Sequence, residues 1–153
     1  MRRKEKEITD RNQIENIIKR ANICRIALTV DNEPYIVPVN FGYYKNALYF
    51  HSATEGKKID MIRKNSRVCF EIDIDHELVL GKIACNGSMK YKSVIGWGTA
   101  EIIEDDNGKR NGLDIIMRQY ADNDAFFYDD KSVERCIIIK VDIDSMTGKS
   151  SGD

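Results

Sequence analysis

Apolar positions recur three and four residues apart at the start of the chain, then mostly every second residue through a β-rich stretch. Ile14, Ile17, Ile18 and Ala21 share one helical face, and Asp10 stands at capping-box spacing from Gln13, so a helix is expected to end near Asn22. Residues 24–30 and 34–41 read as two strands joined by a turn at Asp31-Asn32-Glu33, and Pro34 and Pro38 require an edge or a bulge. Tyr43-Tyr44-Lys45-Asn46 reads as a hairpin connection into a strand over 47–51. A short helix over 55–64 turns Ile59 and Ile62 inward. Residues 67–74 alternate Val68, Phe70 and Ile72 against Arg67, Cys69, Glu71 and Asp73, a half-buried strand. Most of 75–83 is expected to be loop. Residues 87–103 form one bent strand, or two pieces joined by a bulge at Gly96-Trp97-Gly98. Leu113, Ile116, Met117 and Tyr120 predict an amphipathic helix over 111–121. Residues 136–143 close the pattern as a strand, and the polar tail from Gly148 is expected to fray, as are residues 1–7.

Six strands in hairpin order with helices inserted between them predict an α+β domain, a six-stranded antiparallel barrel with flanking helices. A doubly wound sheet would alternate helix and strand regularly, and this chain does not. The sequence has 153 residues and neither repeats nor a low-complexity linker, so one domain is expected. A net charge of −1, with both signs interspersed, argues against a nucleic-acid partner. No apolar run is long enough for a membrane span, and the charged start lacks the apolar stretch of a signal peptide, so the expected location is cytoplasmic. Cys24, Cys69, Cys85 and Cys136 are scattered as in a reducing compartment, and His51 and His76 have no cysteine partners at metal-site spacing, so no metal is expected.

The stretch of greatest chemical interest is 49–60, where a strand runs through small residues into a helix. Lys57 and Lys58 sit at the positive end of that helix, the electrostatically unfavourable place for a cation. Two readings stand. The lysines point into water, or an anion occupies the helix end and gathers the lysines, the uncapped N–H groups and the Ser52 hydroxyl around it. Gly56 either completes the turn or lets a ligand approach the backbone. No G-x-G-x-x-G and no Walker spacing is present, which excludes the usual dinucleotide and triphosphate loops.

An ordered set of short motifs spans nearly the whole chain. They are Arg2-Arg3 with Glu7-Ile8-Thr9-Asp10; Pro34-Tyr35-Ile36-Val37-Pro38-Val39-Asn40-Phe41; Leu48-Tyr49-Phe50-His51-Ser52-Ala53 with Glu55-Gly56-Lys57-Lys58; Arg67-Val68-Cys69-Phe70-Glu71; Tyr91-Lys92-Ser93-Val94-Ile95-Gly96 with Gly98; and Thr147-Gly148-Lys149. With these the chain resembles the nitroimidazole-resistance branch of the pyridoxamine 5′-phosphate oxidase-like FMN-binding split barrels. The resemblance implies a homodimer with FMN at the subunit interface, each chain supplying part of each site. The isoalloxazine ring would lie along Pro38, Val39, Asn40 and Phe41. The phosphate would be held by His51, Ser52, Ala53, Gly56, Lys57 and Lys58, with Lys92, Ser93 and Val94 approaching the same cofactor.

His51 is read as a ligand contact or as a strand-end histidine satisfied by backbone, with a proton-donor role the weaker option. His76 is expected in solvent. Trp97 is expected to pack in a barrel or dimer seam rather than stack on flavin, and Tyr43-Tyr44 and Phe126-Phe127-Tyr128 to line either substrate or subunit interface. Glu104-Asp105-Asp106 reads as a solvated turn with a capping role. The resemblance implies an FMN-dependent oxidoreductase acting on a nitro-aromatic or similar small acceptor, with FMN supplying the redox chemistry. A flavin-binding module without turnover, or the same barrel with haem or a deazaflavin, are the other readings.

Overall fold

The computed structural model describes residues 3–123 and 125–152. It has four α-helices and eight strands in one antiparallel sheet: β1 (Glu7–Ile8), α1 (Arg11–Arg20), β2 (Cys24–Val30), β3 (Glu33–Val39), β4 (Gly42–Tyr44), β5 (Ala47–Ala53), α2 (Lys57–Lys64), β6 (Arg67–Val79), β7 (Ser88–Ile103), α3 (Asp106–Arg118), α4 (Asp130–Glu134) and β8 (Cys136–Ser151). The sheet runs β3-β2-β6-β7-β8-β5-β4, with β1 added to β8. The α+β class is as expected. The count of six strands is not, because β1 and β4 are too short to show as a periodic pattern.

The connectivity bends the sheet. β3 and β4 are its two edges, yet only Asn40 and Phe41 lie between them in the chain. The three Cα–Cα steps from Val39 to Gly42 reach at most roughly 11 Å, so the sheet must curl until its edges meet at that corner. The concave side collects the core: Phe41, Phe50, Phe70, Leu48, Ile26, Ile72, Val94 and Ile139 are fully buried. Helices α1 and α2 close over it with Ile14, Ile17, Ile18, Ile59 and Ile62.

Several details follow from local chemistry. Asp10 caps α1, accepting from the Asn12 N–H at 2.9 Å, one position short of the capping-box geometry. Asp31 and Asn32, at φ 52° and 64°, form the two-residue turn between β2 and β3, and Lys45 and Asn46 repeat it between β4 and β5. The two prolines sit on the edge strand, where the missing N–H breaks no ladder. β7 is continuous through Gly96-Trp97-Gly98. The glycines mark close approach, since a Cβ on Gly96 would meet the Phe70 ring at 2.3 Å and one on Gly98 the Asp142 carbonyl at 2.3 Å. The irregularity lies in the partner strand, where Asp144 is the extra residue between Trp97↔Ser145 and Gly98↔Ile143.

Three expectations are corrected. Much of 75–83 is not loop: β6 continues to Val79 past a bulge at Asp75, whose φ is 59°. The tail does not leave the sheet at Gly148, because β8 runs to Ser151, laddered to β7 and β1; Lys4–Lys6 form a 3₁₀ turn leading into β1. Met1, Arg2, Asp124 and Asp153 lie outside the described residues. The third helix starts at Asp106, with Asp105 accepting from the Gly108 N–H at 2.8 Å, and its buried face is Lys109, Gly112, Ile115 and Ile116. Met117 and Tyr120 are left more than a third exposed. The seam is built on glycines, which a hydrophobic pattern cannot show. A Cβ on Gly112 would strike Ile138, and one on Gly42 would lie 2.3 Å from the Ile115 carbonyl.

The C-terminal end of α3 then locks the corner. The Gln119 side-chain amide donates to the carbonyls of Ile18, Lys19 and Ala21. The Tyr120 hydroxyl donates to the Asn22 carbonyl at 2.8 Å and accepts from the Phe41 N–H at 2.9 Å. The capping role expected at Asp105 is observed. Phe127 is almost fully exposed, and the Tyr128 hydroxyl bonds Asp114 at 2.9 Å. No helix among the described residues is long and apolar enough to cross a membrane.

Two substitutions test this account. Gly42→Ala forces a methyl into helix backbone and is expected to destabilise the fold by about 3 kcal/mol in denaturant unfolding. Tyr120→Phe orphans the buried Phe41 N–H and is expected to cost about 1–3 kcal/mol; no loss of stability would mean that the corner is held by packing alone.

Candidate functional site

Past the corner the two lips of the sheet separate. β4 pairs with β5 through Gly42↔Tyr49, Tyr43↔Leu48 and Tyr44↔Ala47, and the ladder stops there. Continued one step further it would set Phe41 against Phe50, but β3 turns instead to β2 and, beyond Tyr49, β5 pairs with β8 alone. The result is a gap with β3 on one lip, residues 50–53 on the other, and the start of α2 at its mouth.

The lip along β3 is depleted in donors. A two-residue turn of the Asp31-Asn32 kind closes on a hydrogen-bonded pair, here Val30 and Glu33, so odd-numbered residues of β3 bond to β2. Residues 34, 36 and 38 direct their backbone groups outward, and prolines at 34 and 38 leave the Ile36 N–H as the single donor that β3 presents there. The Phe41 N–H is held by Tyr120. Pro38 and Asn40 are exposed, Val39 is half-buried and Phe41 is buried.

The opposite lip splits the residues that the sequence groups together. Side chains alternate along a strand, so Ser52 points inward with Leu48 and Phe50 and is buried, while His51 and Ala53 point to the outer face. His51 stands opposite Ile138, exposed, and its side chain has no hydrogen-bond partner among the described residues. It does not converge with Ser52 in the same chain. Gly56 precedes α2 at φ 126°, a conformation L side chains rarely adopt, and no atom lies within 4 Å of where its Cβ would be. The glycine is there for its backbone, not for packing, and the space beside it is open. No side chain caps α2, so its first N–H groups carry the positive end of the helix. Lys57 Nζ sits 4.8 Å from the centroid of the Tyr35 ring on β3, and Lys58 Nζ sits 5.5 Å from that of Phe50. Burial pushes the Lys58 ammonium below its usual range, with no carboxylate among the causes to offset it.

The third group lies elsewhere. Val94 is core, Lys92 lines a groove with Gln13, Ile17 and Arg20 of α1, and Ser93 lies on the outer side of the sheet between Asp73 and Lys149, where it is buried. Ser52 pairs with Ile137 and Ser93 with Lys149, at opposite ends of β8 and about 40 Å apart along the strand. One chain does not bring the two groups together.

Around Ser93 the outer sheet face carries charges that the sequence reading did not single out. Arg25 Nη1 bonds Glu71 at 2.9 Å and also Asp73, and His76 pairs with Asp73. Burial and the neighbouring Asp73 push the Glu71 carboxyl up. Burial also opposes the Asp73 charge, but Arg25 and His76 outweigh it and hold that carboxyl below its usual range. Tyr35 and Tyr120 were missed as well. Tyr35 alternates with Val37 and Val39 and reads as core, and the contact of Tyr120 with Phe41 spans 79 residues, beyond any local signal. All four cysteines are free thiols, with Cys24 buried and Cys85 exposed. Among the described residues no three metal-ligating side chains gather.

Comparison with known proteins gives this geometry a family. The chain shares 43% identity with a candidate 5-nitroimidazole antibiotic resistance protein of Bacteroides thetaiotaomicron VPI-5482, over 94% of this chain and 86% of that one, at a TM-score of 0.83. The fold alone is shared with the FAD and heme binding protein of Mycobacterium smegmatis, at 20% identity over 97% of this chain and 74% of that one with a TM-score of 0.86. It is shared too with the flavocytochrome Anf3 of Azotobacter vinelandii, at 17% identity over 100% and 72% with a TM-score of 0.86. An uncharacterized protein of Rhizobium meliloti (strain 1021) is 32% identical over 65 residues, a match that spans 42% of either chain. The family model described as pyridoxamine 5′-phosphate oxidase matches residues 10–150, and the chain belongs to that family.

Proposed function

We propose that this chain is a flavoprotein that holds FMN in the gap of a split barrel, with the phosphate at the start of α2. The observation that carries the reading is the positive end of α2: an uncapped helix end, the open space at Gly56 and a half-buried Lys58 whose ammonium burial disfavours. A phosphate monoester relieves all three at once. The flavin would supply two-electron redox chemistry, and the protein binding and orientation. Flavin-binding neighbours of the same fold support the cofactor class. FMN is favoured over FAD because the groove beyond Lys57 is lined by Asp31, Glu33 and Asp60 against the one further cation Lys64, so it offers a second phosphate no net attraction.

The site is completed by a second copy of the chain, since the strand of Lys92, Ser93 and Val94 stands at the far end of β8 from the phosphate residues and only Ser93 of the three lies on the outer face. In the assembled site the protein acts as an oxidoreductase on a nitro-aromatic or similar small acceptor, the reading supported by the relative that shares 43% identity. One observation favours a module without turnover: His51 turns away from the gap of its own chain, which leaves that gap without an evident proton donor. Reoxidation of the reduced holoprotein by nitro-aromatic acceptors separates the two, and a reduced flavin that no acceptor reoxidises would favour the module.

The phosphate assignment is tested with Lys57→Ala combined with Lys58→Ala. FMN affinity is expected to fall at least about tenfold, and riboflavin affinity less than about threefold, in a fluorescence titration; equal losses overturn the assignment. A second test uses the sign of the Lys58 shift. The ammonium is held less tightly in the fold than in the unfolded chain, so the unfolded state binds more protons just below the usual lysine value of 10.5. Stability of the flavin-free protein therefore rises with pH through the window between the lowered folded value and 10.5. Lys58→Met is expected to remove that slope and stabilise the flavin-free protein in thermal unfolding, while weakening FMN binding. A variant that loses stability without flavin would show that Lys58 is structural.

A further inference from the structure

Beyond Ile74 the β6–β7 hairpin leaves the body of the sheet. β7 last pairs with β8 at Tyr91↔Ser151, so the ladder Glu77↔Lys90, Leu78↔Met89 and Val79↔Ser88 is two-stranded, fastened at its base by Lys90 and Glu77 at 3.2 Å. A two-stranded ribbon is marginal in water. This one nevertheless exposes Leu78 (62%), Leu80 (80%), Ile83 (64%) and Met89 (43%).

The bulge decides which way the ribbon faces. Up to Asp73 the odd-numbered residues of β6 lie on the outer face of the sheet. The extra residue at the Asp75 bulge reverses that phase, so that Leu78, opposite Met89, joins the same face. That face already carries an apolar row across the sheet, Ile36, Ala27, Cys69 and Trp97, with Ile95 beside it. Ile36, Ile95 and Trp97 are each at least 40% exposed.

We propose that this ribbon is an arm that clasps a second copy of the chain, as the continuation of an interface made by the outer sheet face. The proposal rests on the two-subunit reading above and adds to it the segment that holds the partner. The charge on the face fits a copy of itself: Arg25, Arg67 and Lys149 are matched by Glu71, Asp73 and Asp144. A neutral face carrying both signs suits an isologous contact and offers nothing to a polyanion. The extent fits as well. Five strands about 4.8 Å apart, over eleven residues of β7, cover roughly 700 Å², close to the ~800 Å² per partner of a stable complex.

The test is sedimentation equilibrium of the full chain as purified, comparing wild type with Leu78→Ser combined with Leu80→Ser. Wild type is expected to be a dimer, and the arm variant to dissociate at least about 100-fold more readily. Hydrogen exchange of wild type adds a readout that needs no substitution: amides of 77–90 are expected to be protected in the dimer and to lose protection on dilution. An arm variant that binds FMN and dimerises as tightly as wild type, or an unprotected arm in the wild-type dimer, overturns the arm and leaves the two-subunit flavin site standing. A monomeric wild-type protein overturns both.

Discussion

The structure depends on one short crossing. Asn40 and Phe41 carry the chain from one edge of an eight-stranded sheet to the other, and two residues cannot span a flat sheet of that width. Curling the sheet is the only solution, and it creates the concave side where Phe41, Phe50 and Phe70 are buried. The crossing is held from outside. Tyr120 bonds the Phe41 N–H and the Asn22 carbonyl, and α3 approaches Gly42 so closely that no side chain fits between them. Because β4 bonds to β5 on one side of the crossing and β3 bonds to β2 on the other, a gap must open where the two part. The candidate site follows from the topology, before any side chain is considered.

β8 distributes the rest. It is the one strand that touches both groups of candidate residues, β5 at its first half and β7 along most of its length. Holding them apart on a single rigid element fixes the distance between them within a chain. In the proposed two-chain site, binding and association would be one event, since a ligand that bridged the two groups would also bridge two chains. The outer sheet face, with its apolar row and balanced charges, is the surface on which such a pairing would be built.

The elements with strong periodicity could be read from the sequence. β2 falls on the expected residues, Asp10 and Asp105 cap as expected, and Pro34 and Pro38 lie on an edge strand. What escaped has physical causes. The buried face of α3 turns on Gly112, which contributes closeness rather than hydrophobicity. β8 beyond Ile143 persists because its ladders to β7 and β1 support it, and β6 beyond Ile74 because a bulge lets it continue as a hairpin with β7, and local polarity gives no sign of either. In the candidate site the turn at Gly56 and the two lysines was visible as a charge placed at the wrong end of a helix. The opposed orientations of His51 and Ser52 needed the strand to be known to continue through Ala53, and the separation of Ser93 from Ser52 needed the sheet order.

The prolines of β3 have one more consequence. An intruding strand offers donors and acceptors in alternation, and along this lip it would find mostly carbonyl oxygens, so its own carbonyls would be left facing like dipoles. Two missing amide protons thus make this edge a poor partner for any added strand, and replacing either proline would restore a donor there without touching any charged group.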